Sequence, residues 1–200
     1  PRLHSDETLI ALAMSSTENA DAKLSIARAA IPYLVPNTSI FLDAGTTVMS
    51  LVRQLPNQHY TIVTSGANIA IELSQRSKST VSCVGGQISS STLSLSGPQA
   101  EAFLATVNID TAVLAATGYS AGAGFTVGSY TENSLKRRVI QKADKVILLI
   151  DRSKLGRTLP FTFASLSDID VVICDAPLPE DFIQAARAAG TEVLQVQPAK

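Results

Sequence analysis

What this sequence is short of narrows the field before any motif is considered. Two cysteines and two histidines stand among its 200 residues. Cys83 and Cys174 lie in strand-like runs with no metal-ligand spacing, so both are expected as buried free thiols of a reducing, cytoplasmic protein. His4 and His59 have no Ser, Cys or Asp constellation nearby in sequence, which leaves neither a hydrolytic triad nor a metal cluster to build on. No cofactor is called for either. Apolar runs fall well short of the roughly 20 residues that cross a bilayer, so no membrane partner is expected. Charged residues are only 16% and hydrophobic residues 46%, a balance that excludes disorder. A net charge of −1 gives no overall attraction for nucleic acid. The chain opens at Pro1, without an initiator Met or a signal-peptide pattern, and reads as a piece of something longer.

What is present is a regular alternation. Residues 1–20 have weak periodicity and read as a linker or arm; 21–200 read as one domain. Leu24, Ile26, Ala27, Ala30, Ile31 and Leu34 make one apolar helical face, which Pro36-Asn37 ends. Strand patterns follow at 39–42, 60–63, 80–84, 111–116, 145–150, 170–174 and 192–196. Helical patterns follow at 47–54, 67–75, 131–143 and 179–189, and Gly97-Pro98 opens another. A Ser-rich stretch at 89–96 interrupts the cycle, and no fixed-period repeat is visible. Strands alternating with helices of this length predict an α/β, Rossmann-like three-layer fold: a mostly parallel sheet with helices on both faces.

The informative segments sit where such a sheet places ligands, at the carboxyl ends of its strands. Asp43-Ala44-Gly45-Thr46-Thr47 ends a strand and opens a helix. Gly45 lets a ligand approach the backbone, Thr46 and Thr47 add hydroxyls, and the helix start offers free N–H groups and a positive dipole end to a phosphate. Asp43 would repel a phosphate but suits a sugar hydroxyl, or orients the loop. An ordinary capped strand–helix connection explains the same residues. The segment lacks the Gly-Lys-Ser/Thr ending of a P-loop and the three-glycine spacing of a dinucleotide fingerprint. Thr64-Ser65-Gly66 repeats the chemistry one strand later, and Gly85-Gly86 closes the third strand, where a tight turn is the plainer reading. The loop 118–126 has the composition of a lid or of a long mobile connection. Glu132 and Lys136 lie one helical turn apart; they suit a surface pair, or Lys136 faces the pocket. Lys154, in Asp151-Arg152-Ser153-Lys154-Leu155-Gly156, follows the strongly apolar strand and can neutralise a phosphate as a point charge, or sit in a solvated turn.

Taken in this order, the segments resemble the effector-sensing domain of DeoR-family bacterial transcription regulators. The residues that carry the resemblance run from Lys23-Leu24-Ser25-Ile26-Ala27 through Ile40 to Thr47, Thr64, Ile69-Ala70, Gly85-Gly86, Gly97, Gly118, Gly124-Phe125-Thr126 and Lys136-Arg137 to the 151–156 segment. The resemblance implies a fold similar to ribose-5-phosphate isomerase, glucosamine-6-phosphate deaminase and CoA transferases. It implies a non-catalytic repressor domain that binds a phosphorylated sugar. DNA would be reached only through a winged helix-turn-helix domain absent from this chain, and a homo-oligomer, dimer or tetramer, is expected. The ligand contacts so expected are Asp43, Gly45, Thr46, Thr47, Thr64, Ser65, Gly85, Gly86, Lys136 and Lys154. Two departures stand out: Thr64-Ser65-Gly66 replaces the family's usual Thr-Asn-Ser, and Asn133-Ser134-Leu135 stands where Glu-Ala often precedes the Lys-Arg pair. The rival reading is a sugar-phosphate isomerase of the same fold. That reaction needs a carboxylate base, for which Asp43, Glu132 and Asp151 are available, yet Ala115-Ala116-Thr117-Gly118-Tyr119 supplies none after its strand. A CoA or nucleotide module ranks last, since no acidic ribose partner has the expected spacing.

Overall fold

Period-2 burial in the strands sets the architecture. In the computed structural model, which describes residues 19–76 and 78–197, seven strands form one parallel sheet. They are β1 (Ser39–Leu42), β2 (Thr61–Thr64), β3 (Thr80–Cys83), β6 (Ile109–Ala115), β9 (Ala143–Leu149), β11 (Val171–Asp175) and β12 (Glu192–Val196). Their spatial order is β3-β2-β1-β6-β9-β11-β12. Ile40, Leu42, Ile62, Val113, Ile147, Leu149, Val171 and Ile173 point to one face. Phe41, Val63, Ala112, Leu114, Val146, Leu148 and Val172 point to the other. Because successive side chains of a strand alternate, each strand feeds two cores.

Helices α1 (Ala20–Ala30), α2 (Thr46–Gln54) and α3 (Ala67–Arg76) cover the first face, through Ile26, Ala27 and Ala30, Val48, Leu51 and Val52, and Ile69 and Leu73. Helices α4 (Pro98–Ala105), α5 (Tyr130–Lys142) and α6 (Glu180–Ala189) cover the second, through Ala100 and Leu104, Leu135 and Val139, and Phe182 and Ala186. The three-layer α/β expectation is met. The expectation of an arm over 1–20 lies outside the described residues, save for Asn19 and Ala20.

Three features depart from the sequence reading. The loop 118–126 is neither lid nor loose connection. It folds into β7 (Gly118–Ser120) and β8 (Gly124–Val127), which join β10 (Phe161–Ala164) in an antiparallel sheet. Tyr119 and Phe125, whose rings lie 4.8 Å apart, anchor it, and Tyr119 meets Phe182 edge-on at 4.9 Å. Its glycines masked that burial. The Ser-rich stretch holds a hairpin, β4 (Gln87–Ile88) and β5 (Leu95–Ser96), whose two-residue strands are too short for a periodic signal. Cys174 is buried as expected, whereas Cys83 is exposed, because β3 is an edge strand with a neighbour on one side only.

Leu114 is fully buried in the second core. Leu114→Ala is expected to cost about 2–5 kcal/mol through lost transfer energy and a residual cavity. Calorimetry should register this as a thermal midpoint lowered by roughly 4–20 °C.

Candidate functional site

The order of the strands reverses between β1 and β6: the chain runs outward from β1 through β2 to β3, then returns to β6 on the other side of β1. Neighbouring crossovers diverge at such a point and leave a crevice beyond the carboxyl ends of the strands. A cavity of about 240 Å³ lies there. Ala44, Gly45, Thr46 and Thr47 line it from β1 and the start of α2, and Ala115, Ala116 and Thr117 from the end of β6. Leu149, Ile150, Asp151 and Lys154 line it from the end of β9, Glu132 and Lys136 from α5, Lys23 from α1, and Ser91 and Thr92 from the tip of the hairpin.

Beneath this cavity lies a buried ion pair. The Asp43 carboxylate, 2% exposed, accepts from the Lys136 ammonium, from the backbone N–H of Ala44 and of Ala115 (both 2.9 Å), and from the Ser65 hydroxyl at 3.3 Å. Lys136 also donates to the Ala115 carbonyl at 3.0 Å and lies 5.4 Å from the centre of the Phe163 ring. Both oxygens of the carboxylate are used, so desolvation of the charges is offset by several charge-assisted bonds. Glu132 stands one turn before Lys136, 3.9 Å away. Burial pushes its carboxyl above the ordinary range; Lys136 opposes that shift and Asp43 adds to it. The surface-pair reading of Glu132 and Lys136 does not hold, since Lys136 is 2% exposed and reaches across to β1.

Gly45 caps α2 with φ 128° and ψ 164°, a conformation closed to most side chains, and its carbonyl accepts the first helical bond, from Met49. The start of α2, with Thr46 and Thr47, therefore lines the cavity. Lys154 lies in the one-turn helix 152–154, capped by Asp151, whose side chain accepts from the Ser153 N–H. Asn19, just before α1, donates to Asp151 Oδ1 at 3.3 Å and to Ser153 Oγ at 3.3 Å.

Of the ten expected contacts, Gly45, Thr46, Thr47, Lys136 and Lys154 line the cavity. Asp43 lies under its floor, in the loop-orienting role. Thr64 is fully buried and accepts from the Gly66 N–H at 3.0 Å, while Ser65 braces Asp43 and Ala44. Gly85 and Gly86 do not line the cavity; they turn the chain into the hairpin. At Gly86 (φ 92°) a Cβ would stand 2.3 Å from the Ser96 carbonyl oxygen, so no other residue fits. The sequence reading missed Lys23, Ser91 and Thr92 as cavity residues. Lys23 is a polar position on the buried side of an otherwise apolar helical face, a signal that was available; the hairpin hydroxyls gave none.

The fold and crevice define a class: a doubly wound α/β domain with a polar-lined cavity at its switch point. The profile of the DeoR C terminal sensor domain family matches residues 18–176, and the chain belongs to that family. Among curated relatives, the HTH-type transcriptional regulator GlpR of Haloferax volcanii is 35% identical over 178 residues, 88% of this chain and 69% of its own length. The HTH-type transcriptional repressor GlcR of Bacillus subtilis is 30% identical over 88% of this chain and 67% of its own. Among solved structures, ribose 5-phosphate isomerase A from Methanocaldococcus jannaschii aligns with a TM-score of 0.52 at 18% identity, over 70% of this chain and 56% of that one. Chaetomium thermophilum eIF2B beta aligns at 0.53 and 15%, over 76% of this chain and 48% of its own. These structural likenesses concern the fold. No helix among the described residues is long and apolar enough to cross a membrane.

Two predictions follow from the buried cluster. Asp43→Ala strands the Lys136 charge and is expected to cost about 3–5 kcal/mol; adding Lys136→Met should recover part of that loss in urea unfolding. For Glu132, the folded state holds its proton more tightly than the unfolded chain. The stability this gives is complete below the ordinary glutamate pKa of about 4.3 and is lost as pH rises through the higher folded value. The melting temperature of Glu132→Gln minus that of the wild type should therefore be more positive at pH 8 than at pH 4.

Proposed function

We propose that the crevice binds a phosphorylated sugar, without chemical turnover, and that occupancy biases DNA binding by a helix-turn-helix domain joined to this one. The observation that carries the reading is the convergence, in one small cavity at the switch point, of Thr46 and Thr47 at the α2 amino terminus and Lys154. A helix start and a lysine are the elements that hold a phosphate through N–H bonds and charge. At about 240 Å³ the cavity suits a small metabolite; ligand clefts commonly run to about 300–1,000 Å³, so a coenzyme-sized molecule fits poorly. The relatives GlpR and GlcR are a transcriptional regulator and a transcriptional repressor, which supports the sensor reading.

Catalysis has less to work with. Of the three acids an isomerase could use, Asp43 is consumed by Lys136 and the loop amides, and Asp151 caps its own turn. Glu132 lines the cavity without such bonds, 3.9 Å from the Lys136 ammonium. A cytoplasmic homo-oligomer is the assembly that suits reading a symmetric operator. The ligand must bind one conformation of the regulator better than another, since equal affinity shifts nothing.

The test is a thermal-shift screen against sugar phosphates and their unphosphorylated parents. At about 100 times its dissociation constant a ligand adds roughly 2.7 kcal/mol of stability, a shift of about 2–4 °C per kcal/mol. One phosphorylated sugar should shift the melt while its parent does not, and Thr46→Val with Lys154→Ala should abolish the shift. Retention of the full shift in that double variant would remove the phosphate assignment.

A further inference from the structure

The Ser-rich hairpin is part of the site, and its chemistry narrows what the site takes. It is held rigidly from two sides. Gly66 and Ser94 form a β-bridge, the Ala67 N–H donates to the Leu93 carbonyl at 3.0 Å, and the Leu95 N–H to the Ser65 carbonyl at 2.7 Å. Ser96 Oγ donates to Thr131 Oγ1 at 3.0 Å, at the start of α5. Across the tip the Ser89 N–H donates to the Ser94 carbonyl at 2.8 Å, and the Leu93 N–H to the Ser89 carbonyl at 2.9 Å. The tip so fixed presents Ser91 and Thr92 to the cavity. Ser91 Oγ lies 3.1 Å from Ser89 Oγ, and Thr92 Oγ1 lies 2.7 Å from Ser94 Oγ. A hydroxyl offers one donor and two acceptor positions, so both retain capacity for a ligand.

Charge divides the cavity. No charged residue lies between Lys78 and Glu101, so the hairpin wall is neutral and hydroxyl-bearing. Lys154 stands at the end of β9, on the far side of the switch point from β2, to which the hairpin is anchored through Ser65 and Gly66. β2 and β9 are three strand spacings apart, about 14 Å between backbones, which side chains from both walls shorten. The α2 amino terminus lies between them. An anionic group is satisfied at α2 and Lys154, with Lys23 also in the lining, whereas the hairpin contributes hydroxyls and no charge.

We infer that Ser91 and Thr92 hydrogen-bond the uncharged hydroxyls of the ligand and set the selectivity of the site among phosphorylated sugars. This rests on the sugar-phosphate reading above and adds to it a discriminating wall. A site built to hydrogen-bond a hydroxyl rejects an analogue without it, because its own polar groups are then left unpaired. Each neutral hydrogen bond lost corresponds to about a two- to tenfold change in affinity.

Calorimetric titration of the whole chain tests it, with inorganic phosphate, ribose 5-phosphate, 2-deoxyribose 5-phosphate and fructose 6-phosphate as probes. Ser91→Ala with Thr92→Val should weaken the best sugar phosphate by about 4- to 100-fold while leaving inorganic phosphate within about twofold. Ser90→Ala, at the same tip but outside the cavity lining, should leave the ratio unchanged, which separates a reading role from mere support of the hairpin. A sugar-phosphate to phosphate ratio untouched by the double variant would overturn this inference alone. Failure of the wild type to bind any sugar phosphate would overturn the sugar-phosphate reading together with it.

Discussion

The fold is pinned at one interaction, the buried pair of Asp43 and Lys136. Asp43 ends β1 and Lys136 comes from α5, on the opposite face of the sheet, while the Ala115 amide and carbonyl that complete the cluster end β6. One set of bonds therefore ties the two strands of the switch point to each other and to the helical layer beyond them. A pair so deeply desolvated is weak evidence of net stabilisation, because attraction and desolvation nearly cancel. What it fixes is geometry. With Asp43 and Lys136 satisfied by each other and by the backbone, the Ala44–Gly45 turn holds its course, and α2 starts at the crevice.

The same pairing shapes the electrostatics above it. An unpaired aspartate at the end of β1 would oppose any anion at the start of α2. Matched to Lys136, it leaves the field at the crevice to the α2 dipole, Lys23 and Lys154 on one side and Asp151 and Glu132 on the other, the Glu132 carboxyl being pushed above its ordinary range by burial. The fold is shared with an isomerase at low identity, and fold alone does not carry function. What separates the two readings is which carboxylates face the crevice and which are already bonded.

Much of the architecture was legible because it rests on local periodicity. The apolar runs at 39–42, 111–116 and 145–150 read as strands, and each contributes alternate residues to two cores, as a sheet covered on both faces requires. The hairpin and the 118–126 region were not legible for a shared reason: short strands rich in Ser, Gly and Ala carry little periodic signal even where Tyr119 and Phe125 are buried, and their pairing comes from distant backbone. β8 is defined by β10, more than thirty residues on, and β5 is held by the Ser65 carbonyl. Cys83 was misjudged because a strand pattern does not say whether the strand is central or at an edge.

The sequence by itself determined the alternation of elements, the loop at 43–47 as a strand end opening a helix, and Lys154 beyond a buried strand. These depend on neighbours within a few residues, where propensity, capping and spacing act. Tertiary structure alone decided that Asp43, Thr64 and Ser65 brace the site while Lys23, Ser91 and Thr92 line it. Those roles follow from the order of the strands and from contacts across as many as 93 positions, as between Asp43 and Lys136. Burial and partnership at that range are properties of the assembled sheet, and no window of the chain contains them.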